Sequence, residues 1–224
     1  MITPEHLRQI ASWSNDLNEQ EFERARRGIA EKDFSKGTYI SHRGDRLDSW
    51  NGVVSGLIKV STVSRTGKAV SLAGVRAGGW FGEGSILKNE PRLYDLVALR
   101  DSRMAFLDRA TFLWLFENSV AFNRFLVRQF NERLGQFIAL VEYDRMLEAP
   151  GRLARTLAWL FNPVLYRDSS RHLELSQEEI GLLSGISRQA TNKSLQILEA
   201  KGLLRLERGG ITILHLEKLA RFGD

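Results

Sequence analysis

The 224-residue chain contains no cysteine. That one absence excludes disulfides, thiolate zinc sites and cysteine-held iron–sulfur clusters. Proline occurs only 4 times, so the places where it stands mark chain breaks. No apolar run approaches the ~20 residues needed to span a bilayer. The N-terminus lacks a charged segment followed by an apolar stretch, so no secretion signal is expected. A cytoplasmic protein without a membrane partner is the expectation. The 4 histidines (His6, His42, His172 and His215) are scattered, and none has a second ligand type at metal-like spacing. There is no nucleophile–base pair, phosphate-binding P-loop or histidine/carboxylate set. Catalytic residues are therefore expected to be absent, and an enzyme is not expected.

What is present is an ordinary soluble composition, 43% hydrophobic and 26% charged. The net charge is +5. From Glu148 onward there are 11 Lys/Arg against 9 Asp/Glu, so neither half is a basic tail. Affinity for a polyanion must come from placement.

Residues 4–31 read as helical, with Leu7, Ile10, Trp13 and Leu17 at helical spacing. From Asp33 to about Asp108 the character changes. "GTYISH", "VVSGLIKVSTV" and "AVSLAGV" are rich in β-branched residues, and "HRGD", "SRTGK" and "RAGGWFGEG" supply turns. Many short strands at close spacing predict an antiparallel barrel or sandwich. Residues 111–147 read as one long helix. Phe130, Leu134, Phe137 and Val141 step by four, three and four, which predicts a seam for self-association. "EAPG" predicts a boundary, because Pro150 disfavours helix at Ala149. A further helix is predicted from about Arg152, and "NPVLYRDSSRH" reads as an exposed loop or short hairpin.

The sharpest signal is "SQEEIGLLSGISRQATNKSLQILEAKGLL". Ser176 with Glu179 is a capping box. Ile180 and Leu183 give one apolar face, and Gly185 suits a tight turn. Ile186 can plug the core, and Ser187 is an N-cap. Leu195, Leu198 and Leu203 turn the second helix's back inward. Helix, short Gly-containing turn and helix is a DNA-binding arrangement. Arg188, Gln189 and Asn192 are candidates to read bases, Arg188 on guanine and Gln189 on adenine. Ser176, Gln177, Ser187 and Lys193 are candidate phosphate contacts. "LLRLERGGITIL" follows as a strand, turn and strand, a β-hairpin wing. A plain helical hairpin with a solvated face explains neither the clustering of polar residues nor the wing.

With these residues in view, the sequence resembles the cyclic-AMP receptor protein/Fnr family of bacterial transcription regulators. The resemblance covers nearly the whole chain and includes "GWFGEGSILKNEPRLYDLVALRDSRMAFLDR", which is similar to the family's phosphate-binding cassette. It implies an α+β protein: an N-terminal antiparallel β-roll of the cyclic-nucleotide-binding jelly-roll type (1–110), a long dimerisation helix (111–147) and a C-terminal winged helix–turn–helix (148–224). It also implies a homodimer on an inverted-repeat site in double-stranded DNA, responding to a signal sensed in the roll. Residues 162–171 lie where the family's activators touch RNA polymerase. Many relatives carry Glu where this chain has Gln189, so the half-site is expected to differ.

The resemblance further implies an effector pocket at Gly82, Glu83, Gly84, Ser85 and Arg92, with Glu83 on a ribose and Arg92 on a cyclic phosphate. Two departures stand against a cyclic nucleotide. Leu93, Tyr94 and Asp95 follow the arginine where small residues are usual, and Phe137 and Ile138 replace hydroxyl residues on the long helix. The alternatives are another small effector, or Glu83 and Arg92 pairing with each other without a ligand. A pure ligand-sensing or dimerisation module is the competing class, and the helix–turn–helix argues against it.

Overall fold

The first helix, α1 (Pro4–Ile10), begins where Thr3 accepts a hydrogen bond from the His6 amide. In a computed structural model covering residues 2–46, 48–64, 69–166 and 170–223, a 3₁₀ turn over Ser12–Asp16 follows. Then comes α2 (Glu19–Arg27), opened by a reciprocal capping box between Asn18 and Glu21. The single helical run expected over 4–31 is thus broken, and Ile29–Glu31 already belong to a strand. Gly28 caps the end of α2, and a Cβ there would collide with Thr111 and Asp108.

The strands are β1 (Ile29–Phe34), β2 (Tyr39–Ser41), β3 (Ser49–Ser55), β4 (Leu57–Val63), β5 (Ala69–Arg76) and β6 (Trp80–Phe81). A short α3 (Glu83–Lys88) intervenes before β7 (Asp95–Ala98) and β8 (Ser102–Asp108). Pairing is antiparallel throughout: β1 with β8, β2 with β7, β3 with β6 and β4 with β5. The result is two four-stranded sheets, β1-β8-β3-β6 and β2-β7-β4-β5, the jelly-roll pattern. Val53, Ile58, Val75, Phe81, Leu96 and Met104 join the sheets in one apolar cluster. A second cluster gathers Trp13, Trp50, Trp80, Phe112 and Phe122, with the Trp50 and Trp80 rings 4.6 Å apart. Gly52 is required there, since a Cβ would lie 2.5 Å from the Trp80 ring. The expected turn "SRTGK" lies mostly outside the described residues, at 65–68.

The helix expected over 111–147 is two helices, α4 (Arg109–Asn118) and α5 (Val120–Met146). Ser119 separates them: it closes α4 and its Oγ accepts from the Phe122 amide, an N-cap role that needs no glycine or proline. The next helix, α6 (Ala149–Trp159), starts earlier than expected, with Pro150 in its first turn. There proline's missing N–H costs nothing, because first-turn amides have no intrahelical partner. After β9 (His172–Leu173) come α7 (Gln177–Ser184), α8 (Arg188–Ala200), β10 (Leu204–Glu207), β11 (Gly210–Ile213) and α9 (Leu216–Ala220).

The chain forms two compact units. The first is Met1–Asn131 with Val164–Arg167; the second is Glu132–Pro163 with Asp168–Asp224. The division falls inside α5 and not at the boundaries 110 and 147 read from the sequence, because α4 and the start of α5 pack Phe112, Leu115, Phe122 and Leu126 into the first unit's aromatic core. Residues 162–171 are not simply an exposed loop: Leu165 and Tyr166 are buried in the first unit, and 167–169 lie outside the described residues. Among the described residues no helix is long and apolar enough to cross a membrane.

Candidate functional site

Two sites emerge, one in each unit. In the second unit, Ser176 Oγ accepts from the Glu179 amide at 3.2 Å, while the Glu179 carboxylate accepts from the Ser176 amide at 2.7 Å. Gly185 closes α7 at φ 65°. Ser187 Oγ then accepts from the Ala190 amide at 3.3 Å and opens α8. Leu195 and Leu198 are fully buried and Leu203 nearly so. The close approach of the two helices rests on residues the sequence did not single out. A Cβ on Gly181 would meet Thr191 Oγ1 at 2.6 Å, and Thr191 and Ser194 are buried.

That packing leaves Arg188, Gln189 and Lys193 exposed along the front of α8, and Ser176 and Gln177 exposed at the start of α7. Arg188 at the first helical position adds its charge to the positive end of the helix dipole. This is mildly unfavourable for the helix alone and favourable for a polyanion. Asn192 differs from its neighbours: it is half-buried and its Oδ1 is enclosed. A two-point contact to adenine needs both amide atoms, so this rotamer does not offer one. The wing is β10 paired with β11, turned at Gly209 (φ 86°), with β9 as a third strand. The sequence missed β9, a two-residue strand with no periodicity to read.

In the first unit, Gly82 (φ 98°) starts α3 in a conformation that favours glycine. Glu83 is buried and accepts from the Trp50 indole N–H at 3.1 Å. Gly84 is exposed and Ser85 half-buried. Arg92 is only 1% exposed, and none of its three guanidinium nitrogens has a hydrogen-bond partner among the described residues. Burial pushes its pKa down, while Tyr94, Asp45 and Glu83 oppose that by favouring the cation. Tyr94 presents its ring 5.2 Å from the guanidinium carbon and Phe81 presents its own at 6.0 Å. The Glu83–Arg92 ion pair considered from sequence is not formed: neither side chain bonds the other.

Asp95 Oδ1 accepts from the Arg43 amide at 2.9 Å. The loop "SHRGD", read only as a turn, is part of the site. The Arg92 amide donates to Asp45 O at 2.9 Å, and the Gly44 amide donates to Arg92 O at 2.8 Å. A cavity of about 400 Å³ opens beside Arg92, lined by Ser41, Asp45, Arg46, Asp48 and Asn51 among others. Ser41 Oγ is also enclosed without a partner among the described residues. Phe137 and Ile138, expected in this pocket, belong to the second unit and stand 54% and 60% exposed. On α5 the expected seam faces outward: Phe130, Leu134, Phe137 and Val141 are all exposed, and Val127 joins them.

A jelly roll with a buried arginine beside a Gly-Glu turn, followed by a winged helix–turn–helix, defines a class of effector-responsive DNA-binding regulators. Comparison with known proteins agrees unit by unit. The cyclic nucleotide-binding domain family matches residues 31–119, and the Crp-like helix-turn-helix domain family matches residues 151–222. The chain is 28% identical over 197 residues to the CRP-like cAMP-activated global transcriptional regulator of Mycobacterium tuberculosis, covering 84% of this chain and 86% of that one. Its fold is similar to FixK2 from Bradyrhizobium japonicum (TM-score 0.72, 18% identity, covering 88% and 98% of the two chains). It is also similar to a CRP/FNR-family regulator from Thermus thermophilus (TM-score 0.64, 23% identity, covering 87% and 100%). With a cyclic nucleotide-binding domain followed by a Crp-like helix-turn-helix domain, the chain has the domain composition of a CRP-like transcription regulator.

Proposed function

We propose that the protein acts in the cytoplasm as a homodimer on an inverted-repeat DNA site, and that an anionic small effector bound at Arg92 controls it. Regulation, not catalysis, is its activity. Arg188 reads guanine and Gln189 reads adenine in the major groove. Lys193, Ser176, Gln177 and Ser187 hold phosphates. The outward apolar stripe on α5 pairs two copies, which sets half-sites one DNA turn, ~34 Å, apart. Asn192 serves position more than base choice, because its acceptor is enclosed.

The observation that carries the effector reading is the buried Arg92. The cost of burying this cation is only partly offset by Tyr94, Asp45 and Glu83, and an anion or further hydrogen bonds would compensate the rest. A phosphate offers both, with fork geometry. Cyclic nucleotides are the first members of that class to test, since the Mycobacterium relative is described as cAMP-activated and the matched domain family is named for them. Calorimetric titration with cyclic AMP and cyclic GMP, against Arg92→Ala as control, decides the matter. Saturable binding lost in the variant is the expected result. No heat with either nucleotide would remove them as effectors.

A further inference from the structure

Residues 164–166 pack with the first unit although the chain on either side belongs to the second. Leu165 is 3% exposed and Tyr166 4%. Both sit in the apolar cluster that joins the two sheets of the roll. Tyr166 donates its hydroxyl to Gly74 O at 3.1 Å, so even its polar end is satisfied. Gly79 makes room for the ring: a Cβ there would lie 2.9 Å from Tyr166 and 2.7 Å from Val75. The roll's eight strands close their ladders with one another and use none of these residues. The segment is therefore an insertion into a completed roll. Phe81, a buried member of this cluster, and Tyr94, packed against it, are also the two rings flanking Arg92. The apolar cluster that Leu165 and Tyr166 enter thus reaches Arg92 through Phe81 and Tyr94.

We propose that residues 164–166 are a built-in plug in the roll. An effector that combines an anion with a flat apolar body brings its charge to Arg92 and its body to the space held by Leu165 and Tyr166, and expels the segment. The inference rests on the reading of Arg92 as the anion's seat. While the plug is in, only the unplugged fraction is competent, and apparent affinity falls by that fraction. The residues flanking the plug belong to the unit that carries α8, so effector occupancy reaches that unit along the chain itself.

The test uses the full chain labelled with 3-fluorotyrosine, its 4 tyrosine signals assigned with Tyr166→Phe. The probes are cyclic AMP and 8-anilinonaphthalene-1-sulfonate, an anion on a flat apolar body. Tyr166→Ala is expected to bind the sulfonate about tenfold or more tighter than the unsubstituted protein, and Tyr166→Ala/Arg92→Ala to lose the gain. In the unsubstituted protein, bound probe should move the Tyr166 signal to a solvent-exposed position. Equal sulfonate affinity with and without Tyr166, or a gain that survives Arg92→Ala, overturns the plug. Arg92-dependent binding of cyclic AMP that leaves Tyr166 buried also overturns it, and the effector reading survives that result. An Arg92-dependent gain in sulfonate affinity with no binding of cyclic AMP upholds the plug and removes cyclic nucleotides alone. Should Tyr166→Ala fail to fold by circular dichroism, Gly79→Ala, whose Cβ would lie 2.9 Å from the ring, is read the same way.

Discussion

Arg188 and Arg92 sit in opposite surroundings. Arg188 stands in water at the start of α8; Arg92 is closed inside the roll with no hydrogen-bond partner among the described residues. An exposed cation keeps its hydration and a counterion atmosphere, and a polyanion gains by releasing those ions. A buried one has lost its hydration and needs replacement contacts. The buried arginine is therefore the stronger sign of a ligand, and the exposed one depends on its neighbours for meaning. Ser187, Gln189 and Lys193 supply that meaning at the front of one helix.

The sharpest way to separate the two sites is Phe137→Glu, which places a carboxylate in the α5 stripe. Sedimentation should show monomers. Affinity for an inverted repeat should fall ~10²-fold or more as the linkage between half-sites is lost, with effector binding to the roll unchanged. A variant that still sediments as a dimer would place the seam elsewhere.

Next in size is Arg92→Met. Loss of the charge contact should weaken an anionic effector by about 2–5 kcal/mol. The melting temperature should hold or rise, because a buried cation only partly compensated by its neighbours gives way to an apolar side chain. Marked destabilisation in scanning calorimetry would instead make Arg92 a structural residue and break the contrast with Arg188.

Arg188→Ala should cost about 1–3 kcal/mol on the specific site and relax selectivity at one guanine. Equal losses on specific and random DNA, read by fluorescence anisotropy, would reduce Arg188 to a backbone contact. The smallest effect is expected from Ser187→Ala: removing the N-cap of α8 should lower stability by about 1 kcal/mol, visible in urea unfolding before any change in base preference.

The helix–turn–helix was legible because its signals are local. The Ser176–Glu179 box, Gly185, the Ser187 cap and the Leu195/Leu198 spacing all act within one or two turns. The strand content was legible for the same reason, from β-branched runs and turn residues. Helix ends were less so. Ser119 breaks a helix that carries no glycine or proline at that point, and Pro150 starts one where proline suggested a stop. Both outcomes turn on which backbone amides lack an intrahelical partner, which serine and proline alone do not announce, since each also occurs inside loops and helices. Around the buried Arg92, the Gly82-Glu83 turn could be named in advance. Asp45, Ser41 and Asn51 could not, since strands distant in sequence bring them there.

From its sequence alone this protein was already committed to a β-rich sensor followed by a winged DNA-reading helix. Periodicity, caps and turn residues act at short range and survive without tertiary context. Only the tertiary structure decided that Arg92 is enclosed and unpaired with Glu83, that Asn192 turns its acceptor inward, and that Leu165 and Tyr166 fill the roll. Each of these depends on burial against residues tens of positions away, and burial sets the cost of a charge, the satisfaction of an amide and the fate of an aromatic ring.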